Sequence, residues 1–148
     1  ATPAPTATPE PTASPTPEPS PTPASQSAGL FEYARAVRLL QVQELDRAIA
    51  QFDLVIRKLP DFARAYHGRG QAFMADERYE FALEDFDKAI ELEPEFPFSY
   101  LDRGKLYQIQ GDMKAAIDDW NSVLETANSI RHESLIAEAE ELLASSDQ

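Results

Sequence analysis

His132 and Glu133 open a segment that begins like the helical zinc motif H-E-x-x-H. That motif needs a second histidine four residues after the first, because both imidazoles must face the metal from one side of a helix. Ile136 stands at that position, the other histidine (His67) lies far away in the sequence, and there is no cysteine. The sequence therefore predicts no metal site and no cofactor. We interpret His132 as a solvated histidine near the start of a helix.

Gly68, Arg69 and Gly70 match the first half of the phosphate-binding loop G-x-G-x-x-G. The loop needs a third glycine where Phe73 stands, and it needs a preceding β-strand, for which the chain has no pattern. We therefore interpret Gly70 as a packing glycine. Gly68 has no such explanation and is interpreted as merely tolerated.

Nucleophilic catalysis lacks its usual residues, since there is no cysteine and no G-x-S-x-G motif. Carboxylates are abundant, but they are expected on the solvent-facing sides of helices, where acidic pairs are ordinary. The members of this group are Glu84, Asp85, Asp87, Asp118 and Asp119. The sequence predicts that the chain is not an enzyme.

Arginine recurs at a fixed interval along the chain, at Arg35, Arg69 and Arg103. Asp85 and Asp119 follow the second and third of these arginines, each at the same separation. We hypothesise that each arginine pairs with an aspartate on its partner helix. The alternative is that the three guanidinium groups converge on a ligand.

The same interval relates many other residues, which indicates an internal repeat. It relates Ala48, Ala82 and Ala116, then Phe52, Phe86 and Trp120, and also Pro60 and Pro94. The units are 29–62, 63–96 and 97–130. In the middle unit, Tyr66, Gly70 and Phe73 share one helical face, and a second helix ends before Pro94. Each unit is thus predicted to be a pair of helices.

These residues resemble the tetratricopeptide-repeat family, whose pattern runs from an aromatic through glycine and tyrosine to alanine, phenylalanine and a closing proline. The middle unit supplies the pattern with Tyr66, Gly70, Phe73, Ala82, Phe86 and Pro94. The first unit departs from it with Glu32, Ala36 and Leu39, and the third has Asn128 in place of the proline. The resemblance implies an all-α, right-handed α-α superhelix.

The regions outside the repeats are predicted to be a tail and a cap. Residues 1–28 contain nine of the twelve prolines and no aliphatic β-branched, leucine or aromatic residue, so we predict a disordered Pro/Thr-rich tether. Residues 131–148 are predicted to form a capping helix, about Ser134 to Ala144, and a C-terminal tail.

The net charge of −13 restricts the partners. Nucleic acid and anionic lipid would be repelled, so a protein or peptide that is neutral or basic overall is expected. No apolar run is long enough to span a membrane.

The resemblance implies that the first helices line a concave groove that takes peptides. The candidate groove residues are Tyr33, Val37, Leu40, Arg64, His67, Gln71, Met74, Phe98, Leu101, Lys105 and Gln108. Family members that bind chaperone tails hold a peptide carboxylate with Lys and Asn. Tyr33, Val37, Gly68 and Asp102 stand at those places, so we predict no chaperone-tail binding. Alternatively, the groove residues of the first unit pack against the tail or a second copy.

The prediction is therefore a non-catalytic protein-interaction scaffold that binds a peptide segment in its groove. The Pro/Thr-rich tail favours a place outside the cytoplasm, tethered at the cell envelope. The alternative location is the cytoplasm. The alternative role of the tail is that of a linker between domains. The alternative function is a structural self-assembly module, a dimer or a stacked array without a separate ligand.

Overall fold

The computed structural model describes residues 23–127 and 131–146, and every regular element among them is an α-helix. The fold class is thus all-α, as predicted. The seven helices are α1 (Pro23–Gln41), α2 (Leu45–Lys58), α3 (Ala63–Ala75), α4 (Tyr79–Leu92), α5 (Pro97–Gln110), α6 (Met113–Thr126) and α7 (Glu133–Ser146). In the part of the chain that the structure describes, no helix is both long and apolar enough to cross a bilayer.

The helices form consecutive pairs, α1 with α2, α3 with α4 and α5 with α6. Connections of two to four residues join α1 through α6, which makes neighbouring helices antiparallel. Each first helix also contacts the first helix of the next pair, and α7 packs on α6. The result is an α-α solenoid in which α1, α3 and α5 occupy equivalent places and line one face.

Large aromatic side chains of the second helices fill gaps left by glycines of the first helices. Phe86 and Trp120 are fully buried. A Cβ added to Gly70 would lie 2.8 Å from Phe86 Cε1, and one added to Gly104 would lie 2.5 Å from Trp120 Nε1. The glycines therefore let the helices approach, as predicted, although glycine in a helix costs about 0.5–1 kcal/mol relative to alanine.

Gly68 is not merely tolerated, contrary to the sequence interpretation. A Cβ at this position would collide with the tip of the Phe52 ring, which is fully buried between the first and second pairs. Gly68 thus leaves room for the close approach of α2 and α3, as Gly70 does for the two helices of its own pair. The interpretation was wrong because it compared positions within one unit, whereas this contact joins two units.

The periodic arginines form ion pairs with aspartates, which confirms the hypothesis in two of the three units. Arg69 donates from Nε and Nη2 to the two carboxylate oxygens of Asp85, at 2.8 and 2.7 Å. It also donates from Nη1 to Asp53 of α2, at 2.5 Å. The hydrogen bonds to Asp85 raise the pKa of Arg69 above its ordinary range. One guanidinium group therefore joins two successive pairs.

Arg103 repeats this arrangement one unit later, with Asp119 of its own pair and Asp87 of the preceding one. Asp85 and Asp119 are buried, so the expectation that they face solvent was wrong. Their burial follows from the bidentate partner, which offsets the cost of removing a carboxylate from water.

Arg35 departs from the hypothesis. It is exposed, and among the described residues it has no carboxylate partner. The position equivalent to Asp85 in this unit holds Gln51, whose Oε1 is buried without a hydrogen bond. The first unit thus lacks the ion pair because its sequence lacks the aspartate.

The first helix begins earlier than the boundary that the sequence predicts for the repeats. Helix α1 begins at Pro23, within the segment predicted to belong to the disordered tether. Proline is tolerated in the first helical turn, because its missing N–H has no helical partner there, and the alanine, serine and glutamine that follow permit a helix. The rest of the predicted tether, residues 1–22, lies outside the described residues, as do 128–130 and 147–148. Helix α7 covers the end of the third pair with Leu135 and Ala139 buried.

Candidate functional site

A pocket of about 450 Å³ lies on the face formed by the first helices. Seven of the eleven predicted groove residues line it, namely Tyr33, Val37, Leu40, Arg64, His67, Gln71 and Phe98. They come from α1, α3 and the start of α5, and the segment before α7 closes the far side with Arg131 and His132. The volume falls within the range of about 300–1,000 Å³ that is usual for ligand pockets.

Aromatic rings form a continuous wall of this pocket. The ring of Phe96 lies 5.2 Å from His67 and 5.2 Å from Phe98, between ring centroids, and Phe98 lies 5.6 Å from His132. On the opposite side Tyr33 packs edge-on against Phe62 at 5.0 Å. Burial raises the pKa of the Tyr33 hydroxyl, and the charge of nearby Arg64 partly opposes this. The wall offers flat apolar surfaces for a bound side chain.

Charged groups of both signs stand at the rim. Arg64 lies over the Phe96 ring at 5.4 Å and 4.0 Å from the Glu93 carboxylate. Glu95 and Arg131 also line the pocket. Because more than half of the Arg64 side chain is exposed, its pairing with Glu93 is weak and the guanidinium remains available to a ligand.

The polar floor of the face is organised around Asp102 of α5. His67 Nε2 lies 2.9 Å from Asp102 Oδ2, and Gln71 Nε2 donates to the same oxygen at 2.7 Å. Lys105 lies 3.6 Å from the other oxygen. Burial alone would raise the pKa of Asp102, but the hydrogen bond and charge of His67, with help from Lys105 and Gln71, hold it below its ordinary value. This network fixes α3 against α5.

Four predicted groove residues lie outside the pocket. Leu101 is buried, at 3% exposure, in the core around Trp120, so its side chain is not a surface contact. Met74 packs against the core of the first two pairs. Lys105 pairs with Asp102 and, at 2.7 Å, with Glu138 of α7. Gln108 is half-buried and also lies away from the pocket.

The sequence prediction missed several pocket residues, among them Phe96, Glu93 and Arg131. Phe96 had a detectable signal, since Phe62 is its equivalent in the preceding unit and both immediately precede a first helix. Glu93 and Arg131 lie in connections between helices. No helical periodicity applies there, so the pattern that found the groove did not reach them.

The residues at the chaperone-clamp positions do not form a cluster of cationic and amide donors. Tyr33, Val37 and Gly68 line the apolar part of the pocket. Asp102 is a carboxylate, which would repel a peptide carboxylate. The absence of chaperone-tail binding stays a prediction.

The fold and this face are those of a helical-repeat solenoid, and the comparisons agree. The family model of the tetratricopeptide repeat matches residues 63–96. These residues thus match a tetratricopeptide repeat, and the chain as a whole has the fold of tetratricopeptide-repeat proteins. A search of curated proteins finds no match.

Several solved structures are similar to the chain. The type III secretion translocator chaperone SycD from Yersinia enterocolitica is 16% identical, with a TM-score of 0.80 over 85% of this chain and 96% of that one. MamA from Desulfovibrio magneticus RS-1 is 28% identical, with a TM-score of 0.63 over 66% of this chain and 55% of that one. The TPR domain of P58(IPK) is 32% identical, with a TM-score of 0.71 over 81% of this chain and 33% of that one. SycD has also been solved with a peptide of the translocator YopD.

Proposed function

We propose that the chain is a non-catalytic protein-interaction scaffold that binds a peptide segment of a partner in the pocket of its concave face. The observation that carries this proposal is the aromatic wall at Phe96 and Phe98, facing Tyr33 across a pocket with charged groups at its rim. A scaffold that only packed against itself would have little reason to keep these rings around an open cavity. SycD, which has the same fold, has been solved in complex with a peptide, and this supports peptide binding as the proposed function.

The pocket favours a peptide with an apolar anchor residue. Rings and aliphatic side chains at Tyr33, Val37 and Phe96 would bury that anchor, and burial of an apolar side chain stabilises a complex by about 1.5–3 kcal/mol. The mixed charges at the rim would then select the residues that flank the anchor. We propose that the partner as a whole is neutral or basic, because the chain carries a net charge of −13.

The test is a selection of peptides from a random displayed library, with the full chain as the immobilised target. The enriched peptide is synthesised, and its affinity is measured by calorimetry for the wild type and for a groove variant with Arg64→Glu and Phe98→Glu. We expect the groove variant to lose at least tenfold in affinity.

A matched control variant has the same change in net charge at positions outside the pocket. It carries Lys114→Glu and Leu124→Glu on α6, where Leu124 is 37% exposed and Phe98 is 38% exposed. Circular dichroism verifies that both variants are folded. Equal loss in both variants, or binding retained by the groove variant, would refute the groove as the site. A library that yields no peptide at all would argue against the function itself.

We also propose that the chain acts outside the cytoplasm, at the cell envelope. The Pro/Thr-rich composition of residues 1–22 supports this, because such sequences commonly space a domain from a surface. Brief protease treatment of intact cells tests it, with immunodetection of this chain and a cytoplasmic marker protein. Loss of the chain while the marker persists is expected, and survival of both would overturn the location.

Self-assembly is a second candidate, favoured by exposed apolar side chains of the first unit. Leu30, Phe31 and Val42 are 52%, 72% and 59% exposed. Sedimentation equilibrium of the full chain over a range of concentrations tests it against Phe31→Glu, with Ile109→Glu as the control at another exposed apolar position. A dimer that is lost only with Phe31→Glu would support this candidate. A concentration-independent monomer would end it.

A further inference from the structure

We propose that the pocket is specific for an extended, proline-rich segment that carries a carboxylate, and that in the free chain this segment is its own residues 15–22. This proposal rests on the proposed function in one respect, because it assumes that the pocket is a binding site. It names the class of ligand and one occupant. It has two supports, the position of the pocket relative to Pro23 and the chemistry of the segment.

The segment begins at the correct end of the molecule. Because α1, α3 and α5 occupy equivalent places, their N termini point to the same end of the solenoid, and the starts of α3 and α5 contribute Arg64 and Phe98 to the pocket. Tyr33 lies ten residues after Pro23, which is about 15 Å along the helix at about 1.5 Å per residue. Residues 15–22, extended at about 3.1 Å per residue, cover about 25 Å. A chain that turned back at Pro23 would therefore run along the pocket, with Glu18 level with its rim.

The sequence pattern of the segment favours an extended backbone in the bound state that we propose. Every second residue from Pro15 to Pro23 is proline, so Thr16, Glu18, Ser20 and Thr22 each precede a proline. The ring of a proline fixes its own φ, and the residue before it is driven away from the helical region. Such a pattern favours the polyproline II conformation, which loses little entropy on binding and is recognised by grooves lined with aromatic rings. The rings of Tyr33, Phe96 and Phe98 supply such a groove.

The charges of the segment fit the rim. The tail has only two charged residues, Glu10 and Glu18, and Glu18 falls in the proline-rich segment. Arg64 and Arg131 line the pocket, although Glu93 and Glu95 oppose them from the same rim. Because Arg64 is held by Glu93 only at 4.0 Å, a carboxylate that reaches it directly has the closer pairing.

The test uses the full chain, which has no cysteine, so that Ser20→Cys provides one attachment point for a nitroxide label. The intensities of backbone amide signals are compared in ¹⁵N spectra before and after the label is reduced. We expect the amides of His67 and Phe98 to lose most of their intensity. Both belong to helices other than the one that follows the label, so covalent proximity alone does not explain a loss there.

Two charge reversals in the tail serve as variant and matched control. Glu18→Arg is expected to restore the signals of His67 and Phe98, and Glu10→Arg, with the same change in net charge, is expected to leave them weak. Combining Glu18→Arg with Arg64→Glu restores an opposite pair, so the signals should weaken again. If the two tail variants behave alike, Glu18 has no specific contact and the proposal fails.

Two further outcomes would overturn the proposal in favour of another occupant. Signal loss around Phe31 instead of the pocket would place the tail on the outer face of α1. Signal loss in a mixture of labelled ¹⁴N chain and unlabelled ¹⁵N chain would assign the contact to a second copy. Neither outcome affects the proposed function, which the displayed-peptide selection and the groove variant test separately.

Discussion

The close contact between Gly104 and Trp120 predicts that Gly104→Ala destabilises the protein. A Cβ would lie 2.5 Å from Trp120 Nε1 and 3.2 Å from the Ala116 carbonyl oxygen, and Trp120 is fully buried. Replacing a helical glycine by alanine normally stabilises by about 0.5–1 kcal/mol. Overpacking a core normally costs about 1–3 kcal/mol, and here the large ring and the backbone both obstruct relief. We expect a net loss of about 1–2 kcal/mol from these two opposing effects.

Trp120 itself reports on this prediction, since it is the only tryptophan. Urea unfolding followed by its fluorescence gives the free energy of unfolding, and far-ultraviolet circular dichroism verifies that the helices unfold in the same transition. The control is the same substitution in a Trp120→Leu background, followed by circular dichroism alone. There the smaller side chain should make room, and the cost should fall to near zero or change sign. An unchanged stability of Gly104→Ala, or an equal cost in both backgrounds, would refute the packing explanation.

Three further predictions concern ion pairs and pH. Arg103→Met should lower the free energy of unfolding by about 3 kcal/mol, because Asp119 remains buried without its partner. Arg35→Met changes an exposed residue and should alter the free energy of unfolding by less than about 0.5 kcal/mol. Urea unfolding of both variants measures the two changes. Gln51→Asp should give Arg35 the partner that the other units have and raise the thermal midpoint slightly; a fall would contradict the repeat equivalence. Asp102 has a lowered pKa, so its contribution is complete above the ordinary carboxyl value of about 4 and is lost as the pH falls further. The melting temperature of Asp102→Asn should therefore depend less on pH between 6 and 3 than that of the wild type.

The fold was predictable because its determinants are periodic. Small residues at Gly70 and Gly104 face large rings at Phe86 and Trp120, and the same interval brings both members of each pair into register. A single chain with three units therefore contains its own internal comparison. The ion pairs followed from the same interval, but the burial of Asp85 and Asp119 did not, because the spacing of residues does not show which side of a helix its neighbours cover.

The pocket was only partly predictable because a helical face is a weaker guide than a repeat. In the sequence, most groove candidates are the residues that directly follow the packing residues of the first helices. This rule found Tyr33 and Gln71, but it also selected Leu101, which is buried. Leu101 belongs to the core that the third pair forms with α7, so this nominal groove position becomes core. Residues such as Glu93 lie in connections, and only the folded arrangement brings them to the rim.

The distribution of charge along the chain bears on the ligand that we propose for the pocket. Residues 23–76 have seven basic and six acidic side chains, whereas residues 77–146 have six basic and seventeen acidic ones. The second half thus repels an acidic partner at long range, while Arg64 and Arg131 attract one carboxylate at short range. Both conditions are met by a segment with a single acid among neutral residues, presented by a protein that is neutral or basic overall. For such a basic partner, the association rate should fall as salt increases, because salt screens its long-range attraction to the acidic second half of the chain.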